Sequence, residues 1–449
     1  MALAAHLPHA VLQASEAGCC WVGFSGGLDS TVLLHWVAQQ RPAWPVRAVH
    51  VNHGLSHNAD AWQRQCEQQC QALGVELTVI TPDLDAAAGN LEARAREARY
   101  QAFNDCLAPA DVLLLAHHQD DQAETVLYRL LRGAGAKGLS GMAGSRMLGE
   151  AQLHRPLLQV TRAELEAYAQ EQGLTWVEDE SNQDVRFDRN YLRQQVLPIL
   201  RQRWPAVTRS LADAANLLRR SDALLSEYAA DDVSHLGNTV EPAGFSLPLA
   251  GLAAMSAPRR HNLLRYWLER HFGELPSRNA LGQIDAQLMQ GHGDSHRAEV
   301  VVGQVSLQCF NGRLLALSLP LQWQPAADEP AIRWADAAAA LPLPGGDCLQ
   351  WRPATGSGIA AHWLDDGVTV AWRCGGERCQ PAGRAHSQQL KKLLQEHQVP
   401  VWLRARVPLI YIAGELAAVG DYWVCQRFAA SGAEPGWALC WQWPDIQRR

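Results

Sequence analysis

A chain of 449 residues is longer than one ordinary hydrophobic core supports, so two or three domains are expected. No apolar stretch reaches the length of a membrane span, and Met1 to Gln13 has no basic segment ahead of its apolar residues, which argues against a membrane or secreted protein and for a cytoplasmic one. The net charge of −7 does not exclude a nucleic-acid partner, because screening confines charge effects to about 10 Å and their distribution decides.

The first element is an apolar run, Cys19 to Phe24, followed by Ser25-Gly26-Gly27-Leu28-Asp29-Ser30 and a helical pattern from Thr31 to Gln39. This is a glycine-rich anion loop at a strand-to-helix junction. Gly26 and Gly27 let backbone approach phosphate, Ser25 and Ser30 supply hydroxyls, and the helix start near Asp29 offers unpaired N–H groups and a positive dipole end. The loop lacks the lysine of the Walker pattern and carries Asp29 instead, a partner for Mg²⁺, which suits ATP cleavage between the α and β phosphates.

An apolar run Val46 to Val51, a helical stretch Ala59 to Leu73, a strand Val75 to Ile80, a helix Leu91 to Leu107 and a strand Val112 to Ala116 follow. Alternating strands and helices predict a doubly wound parallel sheet, in which ligands sit at the carboxyl ends of strands. Ser25–Ser30, Asn52-His53-Gly54 and His117-His118-Gln119-Asp120-Asp121 all fall there, so one cleft holds them, with Asn52, His53 and His117 joining the loop residues at the nucleotide. The helix that opens at the third segment places Asp121 and Glu124 three apart on one face, a carboxylate pair able to hold a cation or a metal.

Arg132 to Met142 reads as a flexible, cationic, glycine-rich loop suited to closing over phosphates, with Lys137 inside it. The other two lysines of the chain are Lys391 and Lys392. Arg155-Pro156-Leu157-Leu158, Glu178 to Asn182 and Arg189-Asn190-Tyr191-Leu192-Arg193 end the first domain, and their arginines serve either a phosphate backbone or salt bridges. A basic stripe runs from Val185 to Arg220.

From Trp204 to about Arg270 the pattern is helical, predicting a helical second domain. Val300 to Leu319 alternates around Asn311-Gly312, a hairpin signal. Pro320 to Gly358 reads as a linker or irregular lead-in, and the tryptophan-rich remainder as a small α+β domain in which most tryptophans pack in the core. A second basic segment there includes Arg373, Arg378, Lys391, Lys392 and Arg404. The eleven cysteines have no C-x-x-C spacing and are expected to be reduced and mostly buried; the spacing of Cys374 and Cys379 does not suit zinc. The expected domains are 1–205, 206–320 and 321–449.

S-G-G-x-D-S after a strand resembles the PP-loop of the ATP pyrophosphatases. With V-N-H-G-L, H-H-Q-D-D-Q-A-E-T, R-G-A-G-A-K-G-L, R-P-L-L, R-N-Y-L-R and, further on, R-C-G-G-E-R, L-K-K-L-L-Q-E and V-P-V-W-L-R-A-R-V-P-L, the chain resembles the bacterial tRNA(Ile)-lysidine synthetases. The resemblance implies that ATP, with Mg²⁺ at Asp29, adenylates C2 of the wobble cytidine of an isoleucine tRNA with a CAU anticodon. The side-chain nitrogen of free L-lysine then replaces that oxygen. It implies Asp29, Asp121 and Glu124 as catalytic residues, Asp121 and Glu124 as the lysine site, and tRNA or phosphate contacts at Arg132, Lys137, Arg189, Arg193, Arg373, Arg378, Lys391, Lys392 and Arg404. A homodimer stays open. Two alternatives stand beside it: another PP-loop enzyme such as an RNA thiolase, although no paired cysteines flank the loop, and a non-catalytic RNA-binding relative.

Overall fold

In the computed structural model the described residues are 18–443 without 41–44, 55, 83–90, 179, 181–183, 242, 290–297, 319–322, 327–328 and 337–338. Part of two sequence motifs, Leu55 and the Asp179, Ser181 and Asn182 positions, therefore lies outside them. The chain divides into two units at 224/225, inside a long helix.

In the first unit, β1 (Cys20–Gly23), α1 (Leu28–Gln39), β2 (Val46–Val51), α2 (Ala59–Leu73), β3 (Glu76–Ile80), α3 (Leu91–Cys106) and β4 (Val112–Leu114) alternate as the sequence predicts. They are followed by α4 (Gln119–Leu131), the short α5 (Ala136–Leu139), the hairpin β5 (Ser145–Leu148) and β6 (Ala151–His154), and α6 (Arg162–Glu171). The sheet order is β3-β2-β1-β4-β6-β5, parallel throughout except for β5. Both faces are covered. Cys20 and Val22 pack into a cluster with Val32, Leu33, Trp36 and Leu165, while Trp21 points the other way into Phe103, Leu113 and Leu153. That period-two alternation in a doubly buried strand makes the run Cys19–Phe24 apolar on both sides. Asp111 fixes the start of β4: one oxygen accepts from Cys19 N–H at 2.7 Å and the other from Trp21 Nε1 and Ala108 N–H, both at 2.9 Å.

After α6 come α7 (Asp188–Tyr191), a π-helical turn Leu192–Val196, α8 (Leu197–Arg203) and α9 (Val207–Leu236). The segment expected to be a flexible loop, Arg132 to Met142, is tied down: Arg129 Nη1 donates to the carbonyls of Gly138 and Gly141 at 2.8 and 3.0 Å, and Gln122 exchanges two bonds with the Met142 backbone. Arg219 of α9 also donates to the Ser140 and Met142 carbonyls.

In the second unit the helical stretch is interrupted at β7 (Thr239–Glu241) and β8 (Gly244–Pro248), which join β9 (Glu299–Val302), β10 (Val305–Phe310) and β11 (Arg313–Ser318) in a five-stranded sheet. The predicted hairpin is β10–β11: Phe310 faces Arg313 across Asn311 (φ 48°) and Gly312 (φ 71°), the two left-handed residues such a two-residue turn requires. The helices Leu249–Ala254, Ala257–Phe272 and Arg278–Gln283 supply Leu252, Leu263, Leu264, Trp267 and Leu281 to the core on that sheet.

In its described residues the stretch 320–358 is neither a linker nor an irregular lead-in. It contributes β12 (Ile332–Trp334), β13 (Leu341–Pro342) and β14 (Cys348–Thr355), and β14 pairs along its whole length with the strand Pro435–Gln442. Its alanine, proline and glycine content hides the alternation that matters, in which Leu349 and Trp351 turn into the core. Trp334 stacks on Trp351, and Trp372 and Trp441 are also buried, so these tryptophans pack the core as expected. The expectation of reduced cysteines is corrected at one pair: Cys379 and Cys425, 46 positions apart and with Cα atoms 5.9 Å apart, form a disulfide. Spacing along the chain gives no sign of it, because the two are brought together by the bridge of Pro381 with Cys425.

Candidate functional site

The loop after β1 is built to present backbone. Gly26 has φ +81°, and a Cβ there would come 2.8 Å from Cys66 Sγ, so only glycine fits. The Gly26 carbonyl accepts from Val177 N–H at 2.8 Å, which anchors the loop from a distant segment that sequence reasoning missed. Ser30 Oγ donates to the Gly27 carbonyl at 3.0 Å and lies 3.1 Å from Ser25 Oγ, so the two hydroxyls brace the turn as well as facing it. Leu28 is buried and holds α1 to the sheet. No side chain caps α1 at Gly27, leaving the first N–H groups of the helix for an anion. Gly26→Ala is expected to destabilise the protein by about 1–3 kcal/mol through left-handed strain and the sulfur contact, read as a lower urea midpoint; an unchanged midpoint would contradict this account of the loop.

Asp29, on the first turn of α1, and the start of α4 meet at His118. His118 is the N-cap of α4: in the neutral ring its Nδ1 accepts from Asp120 N–H at 3.2 Å, in the protonated ring Nδ1–H faces Asp120 Oδ2 at 3.7 Å, and Asp121 Oδ2 accepts from His118 N–H at 3.0 Å. The same ring places Nε2 at 3.5 Å from Asp29 Oδ2 and 3.5 Å from Asp121 Oδ2. Ser25–Ser30 and Asp121 therefore open on one site. Burial disfavours the imidazolium, but Asp121, Asp29 and Asp120 outweigh it and raise His118 to about 8. Burial likewise opposes ionisation of Asp29, yet His118, Arg162 and Arg193 hold its carboxyl below the usual range. Asp29 Oδ1 is buried and has no hydrogen-bond partner among the described residues, an acceptor suited to a cation.

Glu124 is 2% exposed and is forked by Arg193, Nε to Oε1 at 2.6 Å and Nη2 to Oε2 at 2.9 Å; the same Nη2 reaches Asp121 Oδ1 at 3.2 Å. Burial raises Glu124 despite that partner, while Arg193, itself disfavoured by burial, is held more firmly protonated by Glu124, Asp121 and Asp29. The shared face expected of Asp121 and Glu124 is thus present, and it holds a cation of the chain. Arg193 sits in the π-helical turn, a local widening that re-aims side chains. Asp120 ties the supporting elements together, accepting from Arg162 N–H at 3.0 Å and from Arg201.

The remaining expected residues are distributed as follows. Asn52 is buried and structures its own turn, accepting from Gly54 N–H at 2.9 Å and donating to Gln63 at 3.0 Å. His53 lies 3.3 Å from Arg99 and is lowered to about 4 by burial, Arg99 and His50. His117 is lowered to about 4, chiefly by burial, and its Nδ1 is buried with no partner among the described residues. Arg132 is exposed and folds onto Tyr128, and Lys137 is on α5. Arg189 is on α7 and adds its charge to the surroundings of His117. In the second unit, Arg373 is mostly covered and 3.7 Å from Glu377, Arg404 Nε donates to the Val399 carbonyl at 2.8 Å, and Arg378, Lys391 and Lys392 are exposed.

His118, Asp120, Arg162 and Arg201 are the residues sequence reasoning did not assign. The first two stand inside the H-H-Q-D-D motif; the arginines join through tertiary contacts that no spacing reveals. A pH titration checks the electrostatics. His118 carries a folded value above the ordinary 6.5, so its contribution to stability is complete below about 6.5 and is lost as pH rises through about 8. The stability difference between wild type and His118→Gln in metal-free protein is expected to shrink across that window, while histidine NMR finds His53 and His117 neutral at pH 6; a constant difference would contradict the charged His118.

Likeness to known proteins follows the same map. The PP-loop domain family matches residues 3–200, the TilS substrate binding domain 247–315 and the TilS substrate C-terminal domain 368–441. The tRNA(Ile)-lysidine synthase of Coxiella burnetii is 40% identical over 429 residues, covering 94% of this chain and 93% of its own. That of Pseudomonas putida is 42% identical over 407 residues, covering 89% and 92%. That of Yersinia pestis is 39% identical over 442 residues, covering 94% of each. Identity at this level over about nine-tenths of both chains is family membership: the chain belongs to the tRNA(Ile)-lysidine synthase family.

Proposed function

We propose that this protein is an ATP-dependent ligase that joins free L-lysine to C2 of the wobble cytidine in an isoleucine tRNA with a CAU anticodon, forming lysidine, AMP and pyrophosphate. The observation that carries the reading is the convergence at His118 of Asp29 from the phosphate loop and Asp121 from the acidic helix, each 3.5 Å from Nε2. Adenylation and amine attack then share one site.

In the first step the C2 oxygen of the cytidine attacks the α-phosphorus of ATP and pyrophosphate leaves. The loop Ser25–Ser30 and the open N-terminus of α1 cradle the phosphates, with Asn52, His53 and His117 at neighbouring strand ends. Asp29 is the residue that would hold Mg²⁺, whose chemistry is to neutralise charge on the departing pyrophosphate. In the second step the side-chain nitrogen of lysine attacks C2, the C–O bond to the adenylate breaks, and AMP departs with the former C2 oxygen.

Lysine arrives as an ammonium, and its deprotonation at neutral pH costs roughly 4–5 kcal/mol from a pKa of about 10.4. Asp121 and Glu124 hold the ammonium, and the raised affinity of Glu124 for a proton suits it to accept one. The free protein fills this anionic pocket with Arg193, so lysine binding competes with or rearranges that guanidinium. The three parts 1–205, 206–320 and 321–449 divide the work, catalysis in the first and tRNA grip by charge in the others, with Arg378, Lys391 and Lys392 as exposed phosphate contacts.

Pyrophosphate formation from ATP is expected to require the tRNA, and AMP release with continued turnover to require lysine as well. Equal turnover with ornithine, arginine or leucine in place of lysine would refute the substrate assignment.

A further inference from the structure

One charged cluster of the first unit has no part in this scheme. Arg96 and Tyr100 lie on α3, Arg146 on the edge strand β5, and Arg155 directly after β6. The Arg96 and Arg146 guanidinium carbons stand 5.2 and 4.8 Å from the Tyr100 ring centre, and Arg155 Nη2 donates to the Tyr100 hydroxyl at 3.4 Å. Arg155 is only 6% exposed. Its Nη1 donates to the Ala143 carbonyl at 2.8 Å, while its Nε is buried without an acceptor among the described residues.

Three guanidinium groups thus surround one phenol, and among the described residues none of them pairs with a carboxylate. Burial, and then the charges of Arg146 and Arg96, weaken the hold of Arg155 on its proton; the Tyr100 phenol, despite burial, is pulled down by Arg96, Arg155 and Arg146. Mutual repulsion of this kind is relieved by an anion. Planar, multiply donating guanidinium forks suit phosphate oxygens. Arg96 and Arg146 are exposed and come from separate elements, a rim that an extended polyanion can reach. The phosphate loop follows β1, whereas Arg155 follows β6, two places along in the order β1-β4-β6, roughly 10 Å away at ordinary strand spacing. Arg155 and the phosphate loop therefore both follow the carboxyl ends of strands in one sheet.

We propose that Arg96, Arg146 and Arg155, arranged around Tyr100, form a binding site for a backbone phosphate of the RNA substrate, set next to the strand end that carries His117. This rests on the reading that the substrate is a tRNA.

The test uses the full-length chain and an unmodified isoleucine tRNA transcript, with binding measured across a salt series and without lysine or ATP. Arg96→Gln with Arg146→Gln is expected to weaken binding about tenfold at low salt and to reduce the slope of log K against log salt by about one to two, with Arg96→Lys and Arg146→Lys restoring most of the slope. Affinity for ATP alone is expected to match wild type, and a thermal melt confirms that the variants are folded. Wild-type tRNA affinity and slope in a folded glutamine variant would overturn the proposal, as would a loss confined to ATP binding, which would assign the cluster to the nucleotide. Because no chemistry occurs in this assay, its outcome is separate from lysine transfer: a chain that makes lysidine but shows no slope change fails only here, and one that shows the slope change but makes no lysidine fails only in the reaction assigned above.

Discussion

Asp29→Asn is expected to lower tRNA-dependent pyrophosphate release by about three orders of magnitude, the scale seen when a group that stabilises developing charge is removed. The asparagine keeps the size of the side chain and can still meet His118, but it loses the negative charge that burial, His118, Arg162 and Arg193 are balanced around. Binding of tRNA is expected to stay within about twofold of wild type, because Asp29 is a phosphate-loop residue with no part in gripping the RNA. The measurement is pyrophosphate release at saturating ATP alongside equilibrium tRNA binding. Retained release would remove Asp29 from catalysis, and no release from wild type with tRNA binding intact would favour a non-catalytic RNA-binding protein.

Glu124→Gln carries the second large effect, on lysine and on the fold together. Glu124 is 2% exposed and Arg193 is 37% exposed, so breaking their fork leaves a partly solvated guanidinium with Asp121 as its one remaining carboxylate among the described residues. The cost is about 2 kcal/mol, below the 3–5 kcal/mol typical when both partners are fully buried. The KM for lysine is expected to rise about 100-fold, equivalent to about 2.7 kcal/mol of lost binding. Adding Arg193→Met removes the guanidinium that has lost its closer partner and recovers part of the stability without recovering lysine affinity. The denaturation midpoint and KM of the two single variants and the double variant form the cycle that checks this. Additive stability effects would show that the pair is not coupled, and an unchanged KM would move lysine away from Glu124.

The parts of this protein that could be read from the sequence are those whose physical cause is local. The run Cys19–Phe24 followed by Gly26 and Gly27 specifies a strand, a tight turn and a helix within a few residues, and β1, the loop and α1 follow. Asp121 and Glu124 are three apart on a helix, so their common face needs only helical geometry, and Arg193 spans both. Asn311-Gly312 dictates its hairpin for the same reason.

What was not legible depends on distant chain. The role of His118 comes from Asp29, 89 positions earlier, meeting Asp121 in space. Val177 holds Gly26 from a segment without any motif. The stretch 320–358 reads as a linker or irregular lead-in because its alanines and prolines dilute the alternation of β14, whose paired residues lie 80 to 94 positions further on. Cys379 and Cys425 pair only because the fold of the last 80 residues brings them together.

The central claim is that adenylation and lysine attack occur at one site on one nucleotide, and mass analysis of the isoleucine tRNA after incubation with ATP, Mg²⁺ and lysine tests it most directly. The predicted result is a wobble cytidine that gains the mass of lysine less one water, in wild type and not in Asp29→Asn. A tRNA that returns unmodified from the wild-type reaction, or one that carries sulfur at that base, would contradict the account.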